Sequence, residues 1–455
     1  MLYPDKEAPV LDEELFRHPT APYRGAPFWA WNCRLDKEEL RRQIGCFREM
    51  GFGGFHIHSR TGMATPYLQP EFFDLVRFCA EEAEKQGLRV WLYDEDRWPS
   101  GAAGGLVTRN KSFRERRLRL SPEDRADDRP MEQALEEGAP YYLASYRVRL
   151  TPEGTLAGYQ RVSRAEKGAD IRHAFVLPGE ESPWFNNQAY LDTLNPAAVD
   201  AFIHTTHDRY AAAVGEFFGG TIPAIFTDEP RPSFRRRLAF AAGKEGVETA
   251  WTPDFPATFE AAYGYSLPER LPEIFWDLPD GRVSQVRWQY HDHVTQRFVS
   301  AFPARCASWC RDHGLLLTGH MLQEDTLFDQ TCAVGEAMRC YRAFPLPGID
   351  ILCDAVHLVT AKQAQSAARQ EGREGVLSEL YGVTHWDFDF RGHKFQGDWQ
   401  AALGITQRVP HLSWTSMEGE AKRDYPASIH YQSPWYKAVS YTHLGIMSKR
   451  IFYYT

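Results

Sequence analysis

The chain has 455 residues, room for one barrel of about 250 residues with insertions. Hydrophobic residues make up 43% and charged residues 25%, an ordinary globular balance, and 52 basic against 61 acidic side chains leave a formal charge of −9. That acidity excludes a general nucleic-acid binder, which would carry a basic excess. No stretch reaches the roughly 18 consecutive apolar residues of a membrane span.

The first residues, MLYPDKEAPVLDEELF, lack the basic and apolar regions of a secretory leader. Short apolar runs that end in polar residues then recur. Residues 26–32 (APFWAWN) predict a first strand, and 36–50 a helix with Leu40, Ile44 and Phe47 on one face. Residues 53–59 predict a second strand. A helix at 71–86 follows, with Phe72, Leu75, Val76 and Cys79 inward and Gly87 as its stop. Residues 89–96 (RVWLYDED) predict a third strand.

Residues 107–190 break this rhythm. They are rich in Arg, Glu, Asp and Gly and hold a hairpin-like pair, YYLASYRVRL and TLAGYQRVS. We read them as a β-rich subdomain inserted after the third strand, on the face where loops build sites. Asn195-Pro196 opens a helix to residue 216. Further strands are predicted at 224–230, 315–321, 348–355, 376–382 and 409–416, with a long helix over 284–313. Eight apolar runs alternating with helices predict an α/β fold, a closed (β/α)8 TIM barrel formed by residues 1–106 and 191–437. The GAAGG at 101–105 lacks the spacing of a nucleotide-binding loop. Residues 438–455 are only weakly amphipathic and read as a non-native or truncated tail. The eight cysteines form no CxxC pair, which predicts reduced thiols and a reducing compartment.

Active sites of such barrels lie at the carboxyl ends of the strands. That rim collects His56 and His58, then Asp94, Glu95 and Asp96, then Asp228 and Glu229, followed by His320, Asp350, Asp354, Glu379 and Trp414. Glycosidic cleavage needs one carboxylic acid to protonate the leaving oxygen and a second carboxylate across the anomeric carbon. Glu229 and Glu379 end strands four and seven, which face each other across the mouth. Glu229 is assigned as general acid, with Asp228 raising its proton affinity, and Glu379 as nucleophile or base. A structural ion pair at the rim is the alternative for either glutamate. His56 and His58 share one strand face and suit sugar hydroxyls, or a metal that lacks a clear third ligand. Asp94, Glu95 and Asp96 suit sugar hydroxyls or Ca²⁺, or else a network that pins their loop. His320 divides between substrate contact and a rim hydrogen bond, and Trp414 between substrate contact and core packing. The aromatic content of 14%, with 13 Trp, suits sugar-stacking platforms and equally a large core.

WLYDEDRWPSGAAGG, IFTDEP, SELYG and HLSWTSMEGEAKRDYP resemble the strand-end motifs of glycoside hydrolase family 106, the α-L-rhamnosidases, over residues 20–437. The resemblance implies a barrel hydrolase acting on a terminal sugar, with catalytic carboxylates at the positions of Glu229 and Glu379. It also implies an association with calcium, while no other cofactor is expected. Members of that family invert, whereas the strand-four and strand-seven placement also resembles retaining barrel glycosidases. They are longer and carry additional β-rich domains. The expectation is a cytoplasmic bacterial glycosidase with a carbohydrate substrate, no nucleic-acid or membrane partner, and an oligomeric state left open. The rivals are a non-catalytic carbohydrate-binding barrel and a metal-dependent barrel isomerase or aldolase.

Overall fold

A computed structural model describes residues 2–3, 10, 12–422, 425 and 431. The tail expected at 438–455 lies outside them. The first three barrel strands are β1 (Phe28–Trp31), β2 (Gly54–Ser59) and β3 (Arg89–Tyr93). The next four are β8 (Ala224–Asp228), β10 (Leu316–His320), β11 (Leu346–Ile351) and β12 (Leu377–Leu380). The eighth position is shared by β13 (Gln407–Pro410) and β14 (Ser413–Trp414). All are parallel, in the order β13-β12-β11-β10-β8-β3-β2-β1-β14. The predicted single strand at 409–416 is thus two pieces. β13 pairs with β12 and β14 with β1, and the Ala26 N–H donates to Arg408 O at 3.0 Å to close the seam.

Strand alternation sorts the side chains. Phe28, Trp91, Tyr93, Phe226, Leu346, Leu377, Val409 and Trp414 fill the barrel interior. Trp29, Phe55, Ile57, Val90, Leu92, Ile225 and Leu317 face the helical layer. The helix at Lys37–Glu49 starts where Asp36 caps the N–H groups of Glu38 and Glu39, and it buries Leu40, Ile44 and Phe47. The helix at Pro70–Lys85 buries Phe72, Leu75, Val76 and Cys79.

A separate antiparallel sheet stands on the barrel, in the order β6-β5-β7-β4-β9. Four of its strands are β4 (Arg116–Ser121), β5 (Tyr141–Leu150), β6 (Leu156–Val162) and β7 (Ile171–Pro178). The fifth, β9 (Val247–Trp251), comes from the chain that follows the fourth barrel strand. That link ties the sheet to the loop carrying Glu229, as does the Arg231–Glu115 ion pair at 3.0 Å.

One close backbone approach sets the site. Gly319 (φ 134°) pairs with Thr227, and a Cβ there would lie 1.8 Å from Thr227 O. We expect Gly319→Ala to lose about 3 kcal/mol or more in urea unfolding, since β8 and β10 would have to part. An alanine variant as stable as wild type would refute this close approach.

Candidate active site

The barrel register builds the site. Pairing sets His320 beside Asp228 on neighbouring strands, and Asp350 beside Glu379 on the next pair. All four occupy inward positions one step above the apolar interior. Glu229 follows β8 directly and reaches the opening, half-buried. It adopts φ 47°, a left-handed backbone that costs a non-glycine residue about 1 kcal/mol and clusters at functional sites.

His320 is the hub. Its Nε2–H donates to Glu379 Oε2 at 2.9 Å, with Asp228 Oδ1 at 3.3 Å. Burial alone would depress its proton affinity, but the Glu379 hydrogen bond and the charges of Asp228 and Asp350 outweigh it and hold the ring protonated. The Tyr93 hydroxyl donates to the other oxygen of Asp228 at 2.6 Å. Glu324 accepts the Met321 N–H at 2.8 Å, and burial pushes it up to about 7.

The carboxylates differ in ways that matter chemically. Glu229 is pushed up to about 8, by burial first and then by Asp228, with Glu379 and Glu324 adding to the repulsion and His320 opposing it. Asp350 is also raised, by burial and then by Glu379. Burial raises Glu379 too, but the His320 hydrogen bond and the Arg60 charge work the other way. Glu229, Asp350 and Glu324 are thus held toward their protonated forms, and Glu379, also raised, is the carboxyl whose charged form both His320 and Arg60 favour.

Arg60 is a residue the sequence did not single out. It is 5% exposed, stacks on Trp98 at 4.2 Å and donates to His58 Nε2 at 3.0 Å and His411 Nε2 at 3.2 Å. His58 also donates from Nδ1 to Ser59 O at 2.7 Å, lies 3.8 Å from the Tyr93 ring in a stack, and is kept neutral by burial and Arg60. His56 sits lower, among Phe28, Trp91 and Phe226, with Nδ1–H on Ala26 O at 2.9 Å; burial lowers it to about 3. Trp414 is buried in the barrel interior, 5.3 Å from the half-exposed ring of Trp386.

The acidic run after β3 is placed elsewhere. Asp94 shares the outward face of Val90 and Leu92, and accepts the Ser100 hydroxyl at 2.6 Å. Ser100 in turn accepts the Asp228 N–H at 2.8 Å, so Asp94 supports the site from behind. Glu95 accepts the N–H groups of Asp96 (2.9 Å), Gly101 (2.9 Å), Ala103 (2.8 Å) and Gly104. The GAAGG segment, with φ 51° to 141° at Gly101, Ala103, Gly104 and Gly105, thus wraps the chain's own carboxylate. Asp96 pairs with Arg97 at 3.2 Å and accepts Asn186 Nδ2–H at 3.1 Å.

Among the described residues two groups have the spacing to hold a metal ion: Asp228, His320 and Glu379, or Glu229, His320 and Asp350. Both require the His320 imidazole as a ligand, whereas calcium takes six to eight oxygens. The ring bonds Glu379 and lies 3.3 Å from Asp228 Oδ1, so its Nε2 is engaged with the carboxylates that a cation would share. The oxygens of Asp94, Glu95 and Asp96 are largely committed within their loop. Neither place fits calcium, and no step is derived through one. Among the described residues no helix is long and apolar enough to cross a membrane.

Removing the Glu95 carboxylate would strand four buried N–H groups. We expect Glu95→Ala to lose about 3 kcal/mol in stability and to open residues 96–104 to proteolysis under native conditions. Unchanged stability and protease resistance would exclude this anchoring role.

No family model matches the chain, and no curated protein matches it in sequence. Its fold is similar to that of a rhamnosidase from Novosphingobium sp. PP1Y, at 12% identity and a TM-score of 0.66. The likeness covers 97% of this chain and 60% of that one, so this chain spans about three-fifths of the rhamnosidase's length. An endo-β-1,4-mannanase from Thermotoga petrophila is similar at 9% identity and TM-score 0.44, over 95% of this chain and 77% of that one. A β-galactosidase from Halorubrum lacusprofundi is similar at 11% identity and TM-score 0.41, over 84% of this chain and 52% of that one. At these identities the resemblance is one of fold: the chain is an α/β barrel with an added antiparallel sheet.

Proposed function

We propose that the chain is a glycoside hydrolase that releases a terminal sugar, in the manner of an α-L-rhamnosidase, with Glu229 as general acid and Glu379 as nucleophile or base. The observation that carries this reading is the split between two carboxylates in one mouth. Burial raises both, but Asp228 pushes Glu229 further, up to about 8, while the His320 hydrogen bond and the Arg60 charge favour the ionised form of Glu379. Carboxyl groups whose environments push their roles apart are the acid–base assignment that glycosidic cleavage requires. Glu229 would donate its proton to the leaving oxygen, and Glu379 would face the developing oxocarbenium ion directly or through water. His320 would orient Glu379, while Arg60 would temper its basicity. The fold likeness to the rhamnosidase supports the same class of substrate.

The test is a screen of aryl glycosides, α-L-rhamnoside included, on wild type, Glu229→Gln and Glu379→Gln. We expect one sugar to be turned over and each variant to lose about 10²-fold or more in kcat. Activity surviving both substitutions would remove them from the mechanism. A well-folded protein that turns over no glycoside would leave a binding barrel.

The pH dependence follows from the raised proton affinity of Glu229. A general acid must be protonated and its partner carboxylate ionised, so kcat/KM should fall as pH rises through about 8 and fall again at low pH as Glu379 takes a proton. Asp228→Asn removes the adjacent like charge, lowers the Glu229 value and should move the alkaline limb to lower pH. A limb that stays in place would show that another group controls it.

A further inference from the structure

A second feature of the same face carries the opposite charge. A cavity of about 880 Å³ lies between the chain after β8 and the chain after β10. Its wall begins at Phe234, five residues beyond Glu229, and includes Gln323, next to Glu324 and three residues beyond His320. The chain that leaves β8 after Glu229 and the chain that leaves β10 after His320 therefore both reach this cavity.

Its charged lining is Arg235, Arg236, Arg237 and Arg287 against Asp277 and Asp329. Four cations minus two anions leave +2, in a chain whose formal charge is −9. Asp277 is already paired with Arg287 at 2.7 Å, and Asp329 with the Thr326 hydroxyl. The excess therefore falls on Arg235, Arg236 and Arg237. Arg235 is 3% exposed and donates to the carbonyls of Thr331 (2.6 Å) and Ala333 (2.9 Å). Its Nη1 has no hydrogen-bond partner among the described residues. Arg236 and Arg237 are exposed and their guanidinium groups lie by Phe234 and Phe328 rather than by a carboxylate. A buried guanidinium without a counter-anion is costly to fold and is retained where an anion is to be met. The same two exposed arginines line an adjoining cavity of about 590 Å³, whose further charged residues, Arg119 and Lys244 against Glu245 and Glu248, balance.

We propose that this arginine cavity is a subsite for an anionic unit of the substrate, a sugar bearing a carboxylate or a sulfate, bound beside the terminal sugar held in the carboxylate cluster. The proposal rests on the glycoside hydrolase reading and names its substrate class. Guanidinium groups match carboxylate and sulfate with paired N–H donors. The exposed face of Phe328 (55% exposed), under Arg237, supplies an apolar platform for a sugar ring. A positive cavity on an acidic protein also draws in an acidic saccharide that the overall charge would repel.

The test is calorimetric titration of the full chain with digalacturonate, with neutral galactobiose and with inorganic sulfate, on wild type and an Arg236→Ala/Arg237→Ala double variant. Both arginines are exposed, and equal melting temperatures would confirm that the variant folds. We expect digalacturonate to bind wild type more tightly than galactobiose, and the double variant to weaken digalacturonate by about tenfold or more while leaving galactobiose unchanged. Arg235→Lys, which keeps the charge but not the fork, should weaken digalacturonate as well. Sulfate that displaces digalacturonate would assign the site to sulfated sugars, and failure to displace it would assign the site to uronates. Equal binding of the two disaccharides, or digalacturonate binding unaffected by the double substitution, would overturn the subsite. Digalacturonate binding without turnover of any glycoside would remove the hydrolase reading and keep the subsite. Turnover of neutral glycosides without digalacturonate binding would do the reverse.

Discussion

The hydrogen bond from His320 to Glu379, with Asp228 on the same imidazole nitrogen, is the constraint around which the mouth of the barrel is organised. Asp228, Glu229, Glu324, Asp350 and Glu379 act on one another in a buried region, where their mutual repulsion would be severe if all were ionised. A protonated His320 supplies one countercharge and Arg60 a second. The remaining excess is relieved by protons held on the most strongly raised carboxyls. Glu229 keeps its proton through burial and the Asp228 charge, against the opposing charge of His320. His320 is in turn held by the packing of its ring on Phe226 and by the contact that only a glycine at 319 allows.

The loop after β3 is a second support, and it acts through the backbone. Glu95 gathers N–H groups from residues 96–104, which places Ser100 where it can bond both Asp94 and the Asp228 N–H. Two residues that look like substrate ligands in the sequence thus hold the strand end that presents Asp228 and Glu229. Arg97 and Asp96 extend the same loop to Asn186, next to the added sheet. The insertion, the loop and the acid are one connected structure, and disturbing any of them reaches the carboxylate cluster.

Much of the barrel was legible because each strand is a short apolar run at a regular interval, and the inward and outward faces differ in composition. The eighth position was not, since VPHLSWTS reads as one run and nothing local reveals that its two halves pair with different neighbours. The joining of Val247–Trp251 to the added sheet was equally hidden, because that pairing spans the whole fourth barrel strand. In the site, strand ends pointed to Asp228, Glu229, His320, Asp350 and Glu379, which the fold brings together. Period-two counting would have separated Asp94 from them, as it shares a face with Val90 and Leu92 while Trp91 and Tyr93 turn inward. Tyr93 was missed for the same reason. Arg60 and Glu324 lie just past strand ends, where direction is set by loop geometry, and no spacing rule identifies them.

The two charge regions of this face have different origins. The carboxylates come from inward strand positions, so the barrel register fixes their separation tightly. The arginines come from a single irregular segment, residues 235–237, whose course is set by carbonyls at 331 and 333 and by the β9 edge. An acidic centre fixed by strand register can carry chemistry that depends on distances between atoms, while the basic segment lies outside that register. On the proposed function, the reaction would fall to the barrel strands and the choice of substrate to the loops after the fourth and fifth of them.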